Sequence, residues 1–157
     1  MSYRLSKRSS TRLEGIHPFL IDTINKAIST SPEDFGIPMY GGLRTSADQQ
    51  KLYAKGRTDE SIAKGEKPVT YTDGIRKKSN HQIKASNYGH AFDIYIYDHA
   101  TSRASWNIDR LTSVAIHLIK TSELIKDANP DYKDLVLTWG GNWKRFKDYP
   151  HFEVKVI

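Results

Sequence analysis

The 157-residue sequence contains no cysteine. No disulfide can therefore hold the fold and no thiolate can bind a metal ion, which excludes zinc-finger sites. Histidine, aspartate and glutamate remain as possible metal ligands, a set more typical of catalytic than of structural zinc. No run approaches about 18 apolar residues, so the sequence predicts no transmembrane helix and no stable insertion into a membrane.

The first residues are basic but have no apolar segment, so we expect no secretory signal peptide and synthesis in the cytoplasm. Residues 1–12 are also rich in hydroxyl groups, and we expect them to be loosely ordered. Hydrophobic residues make up 38% of the sequence and aromatic residues 11%, which favours a globular fold over disorder. The length suits a single domain over residues 1–157.

The formal net charge is +6, which draws a protein to polyanions such as nucleic acid, anionic lipid or an anionic cell envelope. Twenty-four Lys and Arg, nine Tyr and three Trp would suit a nucleic-acid-binding module through phosphate contacts and base stacking. The basic residues are scattered, however, and no RNA-binding fingerprint is present. This module is therefore the less favoured alternative, and we expect no nucleic-acid partner.

Helical spacing of apolar residues predicts three helices. One begins at Pro18, one runs from the cap Thr45 to Lys55, and one follows the cap Asn107. The polar segment 56–80 is predicted to be a long loop, and a loop of this length in a compact domain is usually functional or mobile.

Strand patterns occur mainly in the second half of the chain. Residues 91–97 alternate strictly between an aliphatic face and a face that carries Asp93. Residues 151–156 alternate in the same way, and residues 35–43 and 135–139 also look extended. Helices followed by mixed strands and helices predict an α+β fold, with a small antiparallel sheet and flanking helices.

Three histidines and two aspartates lie in a series of short motifs between residues 42 and 151. Two histidines and one aspartate would give a metal three protein ligands and leave a fourth position for water, as catalytic zinc requires. The second aspartate, three residues before the last histidine, is a candidate base. The motifs are Gly42-Leu43-Arg44-Thr45, Ser79-Asn80-His81, Gly89-His90-Ala91-Phe92-Asp93, Trp139-Gly140-Gly141-Asn142-Trp143 and Asp148-Tyr149-Pro150-His151.

In kind and order these motifs resemble the M15 family of peptidoglycan peptidases, which includes D-alanyl-D-alanine carboxypeptidases and phage L-alanyl-D-glutamate endopeptidases. The family carries Ser-x-His-x-x-Gly-x-Ala-x-Asp and a terminal Asp/Glu-x-x-His. The resemblance covers residues 42–153 and implies a single catalytic domain with the hedgehog/DD-peptidase-like fold. It also implies that one Zn²⁺ is held by His81, Asp93 and His151.

The resemblance further implies roles around that zinc. Asp148 would be the general base and later the general acid, and Arg44 would stabilise the oxyanion. Ser79 would orient its loop or bind substrate, and Glu153, on the same strand face as His151, would orient a ligand. Three aromatic side chains would line the cleft, although packing in the core explains them equally well: Tyr88, Trp139 and Trp143.

The spacing between the first histidine and the glycine departs from the family. His81 and Gly89 are eight residues apart where the family has three, which we interpret as an insertion of residues 82–86 that bulges outward. The competing interpretation is that His90 replaces His81 as a metal ligand. His90 is an odd number of residues from Asp93, however, so its side chain should project from the opposite face of the strand. We expect deletion of residues 82–86 to change turnover more than zinc content, because this segment and the 56–80 loop flank the cleft.

The resemblance predicts a zinc-dependent hydrolase that cleaves the L-Ala–D-Glu bond of peptidoglycan stem peptides. A D-alanyl-D-alanine carboxypeptidase of the same fold is the alternative, and the complete ligand set argues against a member that binds without cutting. The compact size, the missing signal peptide and the closing motif resemble phage endolysins. We accordingly expect a monomer without a wall-binding domain, made in the cytoplasm of a thin-walled Gram-negative host and acting on periplasmic peptidoglycan.

Overall fold

A computed structural model describes residues 2–157 of the chain. The helices are α1 (Lys7–Arg12), α2 (Pro18–Ile28), α3 (Ser46–Ala54), α4 (Asp59–Ala63) and α5 (Ile108–Ala128). The strands are β1 (Phe35–Gly36), β2 (Ala91–Asp93), β3 (Tyr95–Asp98), β4 (Arg103–Ser105), β5 (Leu135–Trp139) and β6 (His151–Val156). Two short 3₁₀ turns lie at Pro130–Tyr132 and Gly140–Asn142.

The three predicted helices are confirmed as α2, α3 and α5, and their caps explain their starts. Pro18 occupies the first turn of α2, where its missing N–H leaves nothing unsatisfied. Thr45 and Asp48 form a reciprocal capping box at α3. The Asn107 side chain accepts the N–H of Arg110 at α5.

The sequence predicts loose order over residues 1–12. In the structure residues 7–12 form α1, while Met1 lies outside the described residues. The helix is held by hydrogen bonds to residues distant in sequence, which its polar sequence does not predict. The buried Ser9 hydroxyl accepts the N–H of Ile37, and the Arg12 guanidinium donates to the Ile37 carbonyl. The Arg12 carbonyl accepts the N–H of Leu43, so α1 holds the segment that leads into Arg44.

The predicted α+β class is confirmed, but the strands form two antiparallel sheets instead of one, in the orders β1-β3-β4 and β2-β6-β5. The continuous strand predicted over 91–97 breaks at Ile94, where the chain passes from one sheet to the other. The N–H of Asp93 donates to the Gly41 carbonyl and that of Ile94 to the Pro150 carbonyl, which replaces the ladder at this point.

Only Phe35–Gly36 of the predicted extended segment 35–43 pairs as a strand, against β3. Pro38 has no N–H to donate, and Tyr40 adopts a positive φ of 63°, which turns the chain away from the sheet. The turn brings Gly42 and Arg44 toward β2.

The hydrophobic core lies between helices α2 and α5 and the inner faces of the strands. Phe92 of β2 and Phe152 of β6 are fully buried and stack with their ring centroids 5.1 Å apart. The other face of this strand pair carries Asp93, His151 and Glu153, because side chains alternate along a strand. Within residues 2–157, none of the helices combines the length and the apolar character needed to cross a bilayer.

Candidate active site

Asp93 and His151 are direct cross-strand partners in the antiparallel pair β2–β6. Their side chains therefore project together from the face opposite the core, and His151 Nδ1 lies 3.1 Å from Asp93 Oδ1. The strand register alone brings these two groups together, although they are 58 residues apart in sequence.

His81 approaches the strand pair from the loop that precedes β2 and is 2% exposed. Its Nδ1 lies 3.0 Å from the Gly42 carbonyl, so Nδ1–H donates there and Nε2 faces the other two groups. Its backbone carbonyl accepts the N–H of Arg44, and its N–H donates to the Ser79 hydroxyl. The segment between β1 and α3 and the Ser79 loop thus hold His81 from two sides.

Three potential ligand atoms converge at this point: Nε2 of His81, Nδ1 of His151 and Oδ1 of Asp93. They are 3.1, 3.3 and 3.5 Å apart. A tetrahedral ion with bonds of about 2.0–2.1 Å places its ligand atoms about 3.3–3.4 Å apart, so the group could hold such a metal without rearrangement. This is the candidate metal centre.

Each of the three groups is oriented by a further hydrogen bond on its far side. His151 Nε2 lies 2.8 Å from Glu153 Oε1, and Glu153 Oε2 accepts from the Asn80 amide at 2.9 Å. Asp93 Oδ2 accepts from Arg44 Nη2 at 3.2 Å. A carboxylate behind a histidine fixes the ring's tautomer and strengthens it as a ligand.

The charges of the centre are strongly coupled. Burial opposes ionisation of Asp93, but the nearby His81 and His151 outweigh it and hold the pKa of the carboxyl far below its usual range. Burial alone would lower the pKa of His151, yet its hydrogen bonds to Asp93 and Glu153 raise it to about 9. The metal-free centre therefore carries a protonated His151 between two carboxylates at neutral pH.

We expect metal binding to displace that proton. A metal needs the lone pair of His151 Nδ1, so below pH 9 each lower pH unit should weaken binding about tenfold. Calorimetric zinc titrations in two buffers of different ionisation enthalpy should show at least one proton released at pH 7. An affinity that is constant from pH 6 to 8, with no buffer dependence, would contradict this protonation state.

Asp148 lies three residues before His151, in the turn that precedes strand β6. Burial first, and then the negative charge of Asp93, raise the pKa of its carboxyl above the usual value. Its backbone N–H donates to the Gly140 carbonyl, and a Cβ on Gly140 would overlap the Asp148 carbonyl oxygen. The Gly-Gly turn after β5 thus sets the position of the Asp148 backbone.

We expect Gly140→Ala to displace Asp148 and to lower turnover tenfold or more, since small misplacements of reacting groups have effects of this size. Metal affinity should fall less than turnover, because none of the three ligand side chains contacts Gly140 and only the backbone N–H of His151 bonds to the displaced Asp148 carbonyl. Steady-state kinetics beside a zinc titration will separate the two effects. Equal losses of metal affinity and turnover would show general unfolding instead.

Arg44 is held by three hydrogen bonds, to the Tyr40 carbonyl, the Gln49 side chain and Asp93. The side chain is only 13% exposed. The geometry makes Arg44 a positioning residue for Asp93. Its predicted contact with an oxyanion stays a prediction, which two uncommitted N–H groups of the guanidinium allow.

A cleft with two lobes surrounds the centre. One lobe of about 710 Å³ lies beside Glu153, and the other, of about 610 Å³, contains Arg44, His81 and Asp93. The residues that line both lobes mark the junction between them, and these are Val69, Thr70, Ser79, Asp148 and His151. Asp148 and His151 therefore lie where an elongated ligand would pass from one lobe to the other, and His81 and Asp93 adjoin this junction in the smaller lobe.

The remaining predicted site residues divide between the cleft and other surroundings. Ser79 lines both lobes, and Glu153 contacts His151 as expected from its strand face. Trp139 is 7% exposed and packs in the hydrophobic core, where its indole N–H donates to the Tyr149 carbonyl. Of the two alternatives for this residue, core packing is the one observed. Tyr88 packs edge-on against His17 and lines neither lobe.

His90, the competing ligand, is directed away from the centre, as its odd spacing from Asp93 predicts. Its Nε2 lies 2.7 Å from the Ser86 hydroxyl. The inserted segment does not simply bulge outward. Gln82 is buried and bonds to the Ser79 N–H and the Gly74 carbonyl, whereas Ile83 is 48% exposed.

Two buried glutamines missed by the sequence reasoning fix the cleft wall. Gln49 donates to the Thr72 carbonyl and accepts from Arg44, and Gln82 holds the Gly74 turn. Parts of the 56–80 loop are thereby ordered against the site, and residues 69–72 line the cleft. Both glutamines lie in polar stretches of the sequence, so no hydrophobic pattern indicates that their side chains are buried.

Comparison with known proteins identifies relatives of this chain. A family model described as D-alanyl-D-alanine carboxypeptidase (peptidase M15) matches residues 73–154. The chain is 34% identical over 115 residues to the peptidoglycan L-alanyl-D-glutamate endopeptidase CwlK of Bacillus subtilis, covering 72% of this chain and 57% of CwlK. The chain thus spans little more than half of that curated relative.

A solved structure shares the fold at nearly full length. The crystal structure of the L-Ala D-Glu endopeptidase ChiX of Serratia marcescens superposes with a TM-score of 0.68 at 25% identity. The match covers 98% of this chain and 91% of ChiX. The matched residues 73–154 include His81, Asp93, Asp148 and His151. The chain belongs to the M15 family of peptidases.

Proposed function

We propose that this chain is a zinc-dependent peptidoglycan hydrolase that cleaves the L-Ala–D-Glu bond of stem peptides. The observation that carries the proposal is the convergence of His81, Asp93 and His151 in a two-lobed cleft, with His151 and Asp148 lining the junction of the lobes. The names of the two relatives, CwlK and ChiX, favour this bond.

Zinc is the proposed metal because two imidazoles and one carboxylate at tetrahedral spacing suit it. Bound zinc would polarise the scissile carbonyl and lower the pKa of a water to about 7. Glu153 holds the His151 ring through Nε2–H, and Gly42 holds the His81 ring through Nδ1–H. Both histidines thereby present the correct nitrogen.

Asp148 moves the proton in the proposed reaction. Its carboxylate accepts a proton from the attacking water and later delivers it to the amine nitrogen of the departing D-Glu residue. A pKa raised by burial suits this double task, because it makes the protonated carboxyl accessible closer to neutral pH. Ser79 and Thr70 line the junction with hydroxyl groups that can bind the peptide backbone.

The shape of the cleft favours an endopeptidase over a carboxypeptidase. A carboxypeptidase needs room for only one terminal residue beyond the scissile bond, whereas both lobes here extend from the junction and have similar volumes. The description of the matched family keeps D-alanyl-D-alanine carboxypeptidase as the second candidate. The two activities differ in their products.

Digestion of purified Gram-negative peptidoglycan, followed by mass spectrometry, tests the proposal. We expect stem peptides with a new N-terminal D-Glu, lost after chelation and restored by zinc. Release of free D-Ala would identify a carboxypeptidase. Absence of products from a zinc-loaded sample would contradict both activities.

The biological setting stays a prediction from the resemblance to phage endolysins. It comprises synthesis in a host cytoplasm, action on periplasmic peptidoglycan during phage lysis, and a monomeric state. The net charge of +6 supports attraction to an anionic cell envelope.

A further inference from the structure

The two lobes of the cleft differ in their free positive charge. The larger lobe, here the lysine lobe, is lined by Lys77, Lys78 and Lys147, and none of the three forms an ion pair within residues 2–157. Its two carboxylates are Asp148 at the junction and Glu153, which is bonded to His151 and Asn80.

The smaller lobe, here the tryptophan lobe, has less free charge. Its cations are Arg44, which is paired with Asp93, and Lys55. Its most exposed aromatic side chain is Trp106, at 51%, whose ring is tilted against that of Tyr95. An exposed indole at the rim offers an apolar face for a neutral ligand. Tyr71 and Phe146 are exposed in the lysine lobe as well, so the two lobes differ in charge and not in the presence of aromatic side chains.

The lysine lobe is a built surface. The Asp73 carboxylate accepts the backbone N–H groups of Ile75, Arg76 and Lys77, which fixes the turn that presents the lysines. Lys84 of the inserted segment donates to the Lys78 carbonyl. Burial, and also the charges of Lys78 and Lys77, lower the pKa of Lys84, while Glu153 opposes this shift.

The proposed substrate has a matching asymmetry. The D-Glu residue on the leaving side bears a free α-carboxylate one carbon from the departing nitrogen. Further carboxylates follow on the diamino acid and on the terminal D-Ala. On the other side L-Ala is joined through an amide to the muramyl sugar, whose own carboxyl is consumed in that bond. One side of the scissile bond is therefore anionic and the other is neutral.

We propose that the lysine lobe binds the carboxylates on the D-Glu side and that the tryptophan lobe receives L-Ala and its sugar. This polarity rests on the proposed function and deepens it. It places the departing amine on the lysine-lobe side of Asp148, which lines both lobes and can reach that nitrogen from the junction. Lys77 and Lys78 become determinants of specificity.

Cleavage of two matched stem peptides tests the polarity. One peptide carries D-Glu with its free α-carboxylate, and the other carries the α-carboxamide. We expect the zinc-loaded wild type to prefer the acid about tenfold in kcat/KM, the effect of one charge-assisted contact. The double variant K77Q/K78Q should reduce that ratio to about one, with zinc content unchanged.

Lys55→Gln is the matched control, because it removes a cation of the tryptophan lobe and should leave the acid-to-amide ratio unchanged. A ratio that persists in K77Q/K78Q, or that disappears in Lys55→Gln instead, would overturn the polarity while peptide cleavage still supports the proposed function. Failure of the wild type to cut either peptide at L-Ala–D-Glu would contradict the proposed function, and the polarity with it.

Discussion

Asp148→Ala is expected to lower kcat/KM for peptidoglycan fragments by about 10²–10⁴-fold, the usual contribution of a general acid–base residue. Metal content should remain that of the wild type, because the three ligand groups and their hydrogen bonds do not involve the Asp148 carboxylate. Quantified product formation and elemental analysis of the same samples provide the measurement.

Asp127→Ala is a suitable control, since this aspartate is exposed near the end of α5 and lines neither lobe. The pH profile adds a second test. The base must be ionised and burial raises its pKa, so wild-type activity should fall as pH decreases through a value above 3.8. If Asp148→Ala retains near wild-type activity, another group must carry the proton.

Gly42→Ala is expected to destabilise the protein by about 3 kcal/mol and to weaken metal binding. A Cβ at this position would overlap the Arg12 carbonyl oxygen, which is backbone and cannot swing aside. To relieve this overlap, α1 would have to move away from the segment around Gly42. That movement would shift the Gly42 carbonyl, which orients His81. Overpacking typically costs about 1–3 kcal/mol, and a clash between two backbones belongs at the upper end.

Thermal unfolding and zinc titration measure both consequences, and a loss of this size corresponds to roughly 6–12 °C in Tm. Gly65→Ala provides the contrast, because a Cβ there meets nothing within 4 Å although its φ of 79° strains a side chain. Its loss should be about 1 kcal/mol without a change in zinc affinity. Equal behaviour of the two variants would remove the proposed link from α1 to the metal centre.

The helices and the face of each strand were accessible from sequence because they depend on local periodicity and caps. The alternation over residues 91–97 matches the burial from Phe92 onward, since Phe92, Ile94 and Ile96 are fully buried, but Ala91 on the other face is buried as well. The prediction of one continuous strand was wrong. A chain that changes sheets at Ile94 keeps the same alternation of side chains, so the pattern does not reveal the change. Only hydrogen bonds to Gly41 and Pro150, both distant in sequence, distinguish the two cases.

The grouping of His81, Asp93 and His151 was equally accessible, because the motifs that resemble the M15 family contain all three residues and the register of β2 and β6 brings two of them together. The contacts around these three residues were harder to predict from the sequence. Whether Trp139 faces the core or the cleft depends on the packing of Tyr149 and its neighbours, which no local pattern encodes. The buried amides of Gln49 and Gln82 gain their positions from loops distant in sequence, and polar composition conceals them.

The separation of the ligands along the chain has a thermodynamic consequence. His151 is 70 residues from His81 and 58 from Asp93, so an ion held by all three closes large loops that the unfolded chain leaves open. Such an ion binds the native state in preference to the unfolded ensemble. The folding equilibrium should therefore follow the free metal concentration, and a cell's supply of the ion would regulate how long the protein survives as well as how fast it works.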